Sequence, residues 1–380
     1  MSFLTVFNSH ANQVQGHQAQ ALANALYAYA ANIDNLGALG PAVSRISHKH
    51  ASLYIEAGQY DIVGEYLLKA MGTILGSAFT PSVLGAWSAA YKQLADIMIK
   101  MESDMLKEAG DWTSWRDFVI ADVVDEAEGI KSFYLKPKDG KALPSYLPGQ
   151  YISIQMKVPE LDDYMQSRQY SLSGAPRSDH YRVSVKKESA VSQDGRLAPS
   201  HPGYVSSVLH EQKRAGDVVQ LSFPRGDFFL DTRKTIDYPV VLLSAGVGIT
   251  PMVSIVDTLV DQNHKSPVSL IHATRNTRLF AFSKHVRDLP TKHDNIKVST
   301  FISDPNSDDE VEAKQDYDFA GRMDPDKLDK KKDLHIGDDS ASYFICGPSS
   351  FMLDMGKKLE SYGVNKDKIK MEIFSTSLLS

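Results

Sequence analysis

An arginine and a tyrosine stand two residues apart in the segment SRQYSLSG (167–174), which is typical of a short strand. Because side chains alternate along a strand, Arg168 and Tyr170 share one face, whereas Gln169 and Ser171 lie on the other. A buried sheet face does not favour an arginine, so two interpretations remain. Either this is an edge strand with Arg168 in solvent, or the strand holds a flat, charged ligand.

A glycine-rich loop in SAGVGITPM (244–252) follows the apolar residues 240–243 and opens a helical pattern. Gly246 and Gly248 permit close approach of a ligand to the backbone, and the helix N-terminus offers unpaired N–H groups to a pyrophosphate. A second apolar strand, in YFICGPSSFM (343–352), ends in a Gly-Pro turn. Both loops would lie at the carboxyl ends of parallel strands, where ligands bind in open α/β sheets. The short Gly-x-Gly loop alone fits a tight turn equally well.

A histidine lies on the apolar stripe of the helical segment PAVSRISHKHASLY (41–54). Helical counting puts His50 on that stripe and His48 on the polar side. Such a histidine is either a hydrogen-bonded core residue or a metal ligand, and the pattern alone favours the core residue. Tyr60 and Glu102 are also polar residues beside apolar helical stripes. A carboxylate in that position requires a partner, because burying it alone is costly.

The sequence divides into three regions with different residue patterns, and these patterns predict the elements that position the residues. The chain is rich in alanine and leucine with helical periodicity up to about residue 112, and then changes to short alternating runs typical of antiparallel strands. From about residue 239 the succession of strand, helix and strand indicates a parallel sheet. We therefore predict three domains, at residues 1–110, 112–232 and 236–380.

The composition narrows the class of protein. The 380 residues carry a net charge of −6, so no basic field favours nucleic acid or an anionic membrane surface. Cys346 is the only cysteine, which excludes an intrachain disulfide and agrees with a reducing compartment. No apolar run approaches the roughly 18 residues that a membrane span requires. We expect a cytoplasmic protein with neither a membrane span nor a nucleic-acid partner.

Taken together, these motifs resemble the reductase module of the ferredoxin–NADP reductase family, which pairs an antiparallel β-barrel that binds FAD with an α/β parallel-sheet domain that binds NAD(P). The resemblance implies that Arg168 neutralises the flavin pyrophosphate and that Tyr170 packs on the isoalloxazine ring. It also implies that the Ser171 hydroxyl faces the reactive flavin nitrogen. A guanidinium suits a phosphate and an aromatic face suits a planar ring.

Four further segments carry this resemblance: PGQY (148–151), GYVSSVLH (203–210), PRGDFFL (224–230) and KMEIFSTSLLS (370–380). The resemblance assigns flavin contacts to Tyr151, Gln169, Val205, Ser206, Ser207, Glu372, Phe374, Ser375, Thr376 and Ser377. It assigns nicotinamide-nucleotide contacts to Gly246, Val247, Gly248, Ile249, Thr250, Pro251, Cys346, Gly347 and Pro348. Ser375 stands where the family has a glycine. Arg275, in HATRN (272–276), leaves the choice between NADH and NADPH open.

A helical domain joined to such a reductase resembles a flavohaemoglobin. The segment HKHASLYIEAGQYDIVGEYLL (48–68) is similar to the proximal haem region of that family. The resemblance implies that His50 binds the iron of haem b and that Lys49 lies on the proximal side. It also implies that Tyr60 and Glu102 orient the histidine and give it imidazolate character, as in peroxidases.

On the distal side, QGHQAQALANAL (15–26) resembles the family's distal helix. The resemblance implies that Gln18 and Leu22 face the haem ligand and that Phe7 packs on the haem edge. The chain starts at what resembles the corner before this helix, so on the order of 35 residues at a typical helix length, including the family's distal tyrosine, lack a counterpart. We therefore expect an all-α globin-like domain that is shortened by its first helices.

The resemblance implies a nitric oxide dioxygenase, in which NAD(P)H reduces FAD, FAD reduces haem iron, and O2 at the haem oxidises NO to nitrate. Two alternatives remain open at the level of sequence. One is a haemless NAD(P)H-dependent flavin reductase that passes electrons to another acceptor, and the other is a haem-based gas-binding or sensing protein. The sequence does not predict the oligomeric state.

Overall fold

The computed structural model describes residues 17–188, 203–305 and 316–374. Its N-terminal part is helical, as predicted, with α1 (His17–Ala31), α2 (Gly40–Ala51), α3 (Ala57–Leu75) and α4 (Pro81–Glu108). Local chemistry sets where two of these helices begin. Glu56 and Gln59 form a capping box before α3. The Thr80 hydroxyl accepts a hydrogen bond from the Val83 N–H at the start of α4, whose first residue is a proline.

The helices pack around a small apolar cluster between α2, α3 and α4. Leu53 and Ile55, in the turn after α2, are buried with Tyr60 of α3 and Met98 of α4. This packing brings the end of α2 against the start of α3 and the C-terminal half of α4. Tyr54 adopts a positive φ of 54°, which reverses the chain between α2 and α3.

The second part is an antiparallel sheet of six strands with one helix. Its strands are β1 (Arg116–Ala127), β2 (Ile130–Pro137), β3 (Tyr151–Val158), β4 (Tyr164–Ser171), β5 (Tyr181–Lys186) and β6 (Val218–Leu221), and its helix is α5 (Tyr204–Glu211). The strand order is β4-β3-β6-β1-β2-β5. An isolated bridge between Leu172 and Val183 joins the two edge strands, so the sheet closes into a barrel.

The third part is a parallel six-stranded sheet flanked by helices. Its elements are β7 (Val240–Ala245), α6 (Ile249–Asp261), β8 (Val268–Thr274), α7 (Ser283–Lys292), β9 (Ile296–Ile302), β10 (Phe319–Ala320), β11 (Ser342–Cys346), α8 (Ser349–Ser361) and β12 (Ile369–Glu372). The order β10-β9-β8-β7-β11-β12 makes β7 and β11 neighbours. Because these strands are parallel, the loops that follow them meet at one edge, as the sequence predicts.

Among the described residues, no helix combines the length and the apolar character that a membrane crossing requires.

Candidate active site

Three helices bring a histidine, a tyrosine and a glutamate together. His50 lies in the last turn of α2, Tyr60 in the first turn of α3, and Glu102 near the end of α4. The His50 Nδ1 atom is 2.8 Å from the Tyr60 hydroxyl oxygen and 3.1 Å from Glu102 Oε1. The Tyr60 hydroxyl donates to Glu102 Oε1 at 2.5 Å. The three polar residues that the sequence placed beside separate apolar stripes therefore form one cluster.

The environment of this cluster sets the proton positions. Tyr60 and Glu102 are buried, with 8% and 4% of their surfaces exposed. Burial, reinforced by the Glu102 carboxylate, raises the pKa of Tyr60 far above its usual value, so its hydroxyl stays protonated and donates. Tyr60 and Glu102 both meet the His50 ring at Nδ1, so a bond from this ring to a metal would use Nε2. A neutral imidazole oriented by a carboxylate is the donor set that suits haem iron.

The residues predicted on the distal side are only partly described. Leu22 lies on α1 with 41% of its surface exposed. Phe7 and the side chain of Gln18 lie outside the described residues.

The SRQYSLSG segment forms the end of β4, next to β3. In the antiparallel register, Arg168 pairs with Ile154 and Tyr170 with Ile152, so the predicted alternation is confirmed. Burial lowers the pKa of the Arg168 guanidinium from its usual value. Arg168 is half-buried, so the interpretation that leaves this side chain in solvent is wrong. A partly desolvated cation in this position is suited to an anionic ligand.

Two buried serine hydroxyls support a ligand in this region. Ser171 Oγ, at the end of β4, and Ser207 Oγ, on α5, are buried without a hydrogen-bond partner among the described residues. Buried polar groups are rarely left unsatisfied, so such atoms indicate a missing partner. Because α5 packs against β4, the two hydroxyls would suit a flavin with its phosphates toward α5.

The other residues assigned to the flavin lie near the same strands, with one difference. Val205 and Ser206 are buried on α5. Gly226 takes a φ of 126°, and a Cβ there would approach the Tyr151 ring to 3.0 Å. The Gln169 side-chain amide donates to Ser153 Oγ at 3.0 Å. That amide therefore bonds to β3, which the sequence pattern did not predict.

The two glycine loops of the parallel sheet are in direct contact. A Cβ on Gly248 would lie 2.3 Å from the Cys346 carbonyl oxygen, so only glycine fits. A Cβ on Gly347 would lie 2.9 Å from the Phe351 ring. Residues 246–251, which lead into α6, thus lie beside residues 346–348 at the carboxyl ends of β7 and β11. The two loops that the sequence assigned to the nicotinamide nucleotide are therefore neighbours.

The C-terminal strand brings a carboxylate to the same edge of the sheet. Glu372 pairs with Cys346 in the register of β12 and β11. Burial, with a smaller contribution from Asp227, raises the pKa of Glu372 to about 8, and Arg45 opposes this shift. Phe374 is 48% exposed. The predicted contacts Ser375, Thr376 and Ser377 lie outside the described residues.

Comparison with known proteins agrees with this architecture. The globin family model matches residues 4–98, and the oxidoreductase NAD-binding domain model matches residues 242–357. A flavohemoprotein of Rhizobium meliloti is 41% identical over 379 residues, which cover 99% of this chain and 90% of that protein. The chain belongs to the flavohemoprotein family. A flavohemoprotein of Bacillus cereus is 42% identical over 381 residues, covering 99% of this chain and 90% of the relative.

Comparison with solved structures shows that this flavohemoprotein is similar to other family members over nearly its whole length. The crystal structure of flavohemoglobin from Malassezia yamatoensis, which contains bound FAD and heme, matches with a TM-score of 0.82 and 28% identity. The match covers 98% of this chain and 90% of that one. The FAD/NAD binding domain of nitric oxide dioxygenase from Vibrio cholerae matches 68% of this chain and 97% of its own, with 36% identity and a TM-score of 0.58.

In this flavohemoprotein the histidine cluster and the flavin motif are close neighbours. Burial, and to a lesser degree the nearby Arg168 guanidinium, lowers the pKa of Lys49 to about 8. Lys49 precedes His50, whereas Arg168 lies on the barrel strand β4. The residue assigned to the proximal haem side therefore lies within electrostatic range of the residue assigned to the flavin phosphates.

Sequence reasoning missed the contacts that hold the helical part of the flavohemoprotein on its barrel. His48 Nδ1 accepts a hydrogen bond from the Gly226 N–H at 3.2 Å. The Tyr54 hydroxyl oxygen accepts one from the Phe223 N–H at 3.3 Å. The Arg225 guanidinium donates to the Met105 carbonyl and lies 4.0 Å from the centre of the Phe223 ring.

His48 shows why these contacts were missed. Helical counting put it on the polar side of α2, and burial against the barrel lowers its pKa to about 4. The polar side of this helix faces another domain and not water. The adjoining motif PRGDFFL (224–230) supplies part of the contact, but no local pattern indicates which helix meets it.

Proposed function

We propose that this flavohemoprotein is an NAD(P)H-dependent nitric oxide dioxygenase that uses FAD and haem b and acts on NO and O2. The observation that carries the proposal is the His50–Tyr60–Glu102 cluster, which lies close to the flavin motif: Ser52, two residues after His50, bonds to Ser153 on the barrel strand β3. The relatives named above, a flavohemoglobin with bound FAD and heme and a nitric oxide dioxygenase among them, support it.

When bound, the three cofactors supply hydride transfer from NAD(P)H to FAD, single-electron transfer from FAD to haem, and oxidation of NO by O2 to nitrate. For the haem, His50 Nε2 would be the iron ligand. The Tyr60 hydroxyl oxygen and the Glu102 carboxylate would accept a hydrogen bond from Nδ1–H and give the ring partial imidazolate character, so the ring would be a stronger electron donor. Because both partners come from other helices, the ring orientation is set before the haem binds.

For the flavin, each polar residue has a separate task. Arg168, already desolvated, would pair with the pyrophosphate, and the Ser171 and Ser207 hydroxyls would gain the partners that they lack among the described residues. Tyr151 and Tyr170 would provide aromatic contacts to the isoalloxazine ring.

For the nicotinamide nucleotide, the loops at Gly248 and Cys346 contact each other and leave no room for a side chain on Gly248. A nucleotide bound there would therefore meet the backbone directly. The N-terminus of α6 directs its N–H groups there, which suits phosphates. Cys346 is fully buried and its pKa is raised well above the usual value by burial, so its thiol stays protonated. A single reduced cysteine supports a cytoplasmic location.

The test is NADH-driven consumption of NO by the purified protein loaded with FAD and haem, measured beside His50→Ala. We expect NO to be consumed, nitrate to form, and the variant to lose this activity while its flavin is still reduced. A protein that binds only flavin would instead support a reductase with another acceptor. A haem that NADH does not reduce would support a gas-binding or sensing protein.

A further inference from the structure

A directional chain of hydrogen bonds connects the flavin strand to the peptide of the histidine ligand. The Gln169 amide donates to Ser153 Oγ at 3.0 Å, and the Ser153 hydroxyl donates to Ser52 Oγ at 3.0 Å. The Ser52 hydroxyl in turn donates to the Lys49 carbonyl oxygen at 2.7 Å. The Lys49 carbonyl and the His50 nitrogen belong to one peptide unit. The chain therefore runs from the RQYS motif on β4 to the peptide bond that precedes the histidine.

All hydrogen bonds in this chain point the same way, from the flavin strand toward the histidine peptide. The hydroxyls of Ser52 and Ser153 each donate one hydrogen bond along the chain and each accept one from the preceding member. Both residues are fully buried, with 0% of their surfaces exposed. In such surroundings hydrogen bonds polarise one another, and an unsatisfied group is costly. Loss of one hydroxyl therefore interrupts the whole chain.

The two serines sit in rigid positions. Ser52 caps α2, and its N–H donates to the carbonyls of His48 and His50. Ser153 is held in β3 by Ser222, whose hydroxyl accepts from the Ser153 N–H at 2.8 Å and whose N–H donates to the Ser153 carbonyl at 2.9 Å. The contact between Ser52 and Ser153 thus joins a helix end to a barrel strand with little freedom on either side.

We propose that the Gln169–Ser153–Ser52 chain, termed the relay, sets the distance and orientation of the histidine ligand relative to the flavin strand. Ser52 and Ser153 would thereby be positioning residues for electron transfer from flavin to haem. Apolar packing between the domains is non-directional, whereas the Ser153–Ser52 hydrogen bond that crosses between them is directional, and the other two bonds of the chain anchor its ends. The proposal rests on the proposed function, because it concerns the electron-transfer step of that reaction.

The first test separates the two electron-transfer steps in Ser153→Ala and Ser52→Ala. Anaerobic stopped-flow spectroscopy follows flavin reduction by NADH and then haem reduction in the protein loaded with FAD and haem. We expect flavin reduction at the wild-type rate, which also shows that the variant is folded. Haem reduction should slow about tenfold, because small displacements of reacting groups have large effects on rate. The double variant should be no slower than either single variant, because the same chain is already broken.

Ser132→Ala is the matched control. It removes a hydroxyl of the same barrel that is equally buried, with 0% of its surface exposed, and whose hydrogen-bond partners, Glu126 and Ser184, lie outside the relay. We expect haem reduction in this variant within about twofold of the wild type, because sites that share no partner do not couple.

A second readout does not depend on turnover. Hydrogen exchange of the backbone amides of Ser52, Leu53 and Ile55, which bond to the carbonyls of His48 and His50, reports on the end of α2. We expect faster exchange in Ser153→Ala and unchanged exchange in Ser132→Ala. This measurement applies to the full chain with or without haem.

The outcomes distinguish the two proposals. Wild-type rates of haem reduction and exchange in both relay variants would overturn the positioning role. Equal slowing in Ser132→Ala would also overturn it, because loss of any buried hydroxyl in this barrel would then have the same effect. If the wild-type haem is not reduced by NADH at all, the proposed function fails, and the exchange data still decide whether the relay orders the histidine segment.

Discussion

The carboxylate of Glu102 lies 3.1 Å from Nδ1 of His50, although 52 residues separate them in sequence. The Tyr60 hydroxyl contacts both His50 Nδ1 and Glu102 Oε1, so the carboxylate beside the ring nitrogen is itself hydrogen-bonded. This relationship places the negative charge on the side of the ring opposite to Nε2. The first prediction follows from it.

Glu102→Gln keeps the shape of the side chain but removes its charge. We expect a weaker electron donation by His50, seen as a lower iron–histidine stretching frequency in resonance Raman spectra and a higher haem reduction potential. NO consumption should fall by about 10- to 100-fold, the usual effect of changing the partner of a metal-binding histidine. Glu65→Gln, at an exposed site on α3, is the control. An unchanged stretching frequency in Glu102→Gln would contradict the role of the carboxylate.

Arg168→Ala should release FAD. The half-buried guanidinium is the cation suited to the flavin pyrophosphate, so its loss should weaken FAD binding by about tenfold or more, as for other charge-assisted hydrogen bonds. Arg168→Lys should restore binding only in part, because an ammonium lacks the planar fork. Titration of flavin fluorescence measures the affinity. Arg233→Ala, at an exposed ion pair with Asp231, should bind FAD as the wild type does, and a loss there too would point to general instability.

Gly248→Ala should displace the two loops assigned to the nicotinamide nucleotide, because the new Cβ would lie 2.3 Å from the Cys346 carbonyl oxygen. We expect a loss of about 1–3 kcal/mol in the free energy of unfolding, the usual cost of overpacking. Reduction of FAD by NADH should slow, with a raised KM. On α4, a Cβ on Gly85 would meet no atom of the described residues within 4 Å, so Gly85→Ala should be neutral or stabilising. Urea unfolding and stopped-flow flavin reduction provide the two measurements.

Glu372 predicts a pH dependence of stability. Its pKa rises from 4.5 to about 8 in the folded chain, so the folded state binds this proton more tightly than the unfolded state. The contribution of this carboxyl is therefore fully present below its unfolded pKa and is lost as the pH rises through the folded pKa.

Between about pH 5 and pH 8, the free energy of unfolding of the wild type should fall relative to that of Glu372→Gln, by about 1.4 kcal/mol for each unit of pKa shift. Urea unfolding across this range measures the slope. Glu360→Gln, at an exposed position of α8, should keep the wild-type slope. Parallel curves for the wild type and Glu372→Gln would contradict a raised pKa.

The sequence by itself determined the local structure and the residue types available for chemistry. Helical periodicity around His50, alternation through Arg168 and Tyr170, and the glycine loop at Gly248 each depend on neighbours within a few residues. Such patterns predict helices, strands and loops, and the order of these elements predicts a parallel or an antiparallel sheet. The motifs and their family resemblance supplied the roles assigned to these residues.

The tertiary structure decided which polar groups meet. Nothing near His48 indicates that the polar side of α2 faces a barrel, and nothing near Ser52 indicates that its hydroxyl bonds to Ser153. A polar residue on a helix has the same local pattern whether its face meets water or another domain. The difference arises only when separately folded elements, distant in sequence, bury their surfaces against each other, because each buried polar group must then find a partner across the new interface.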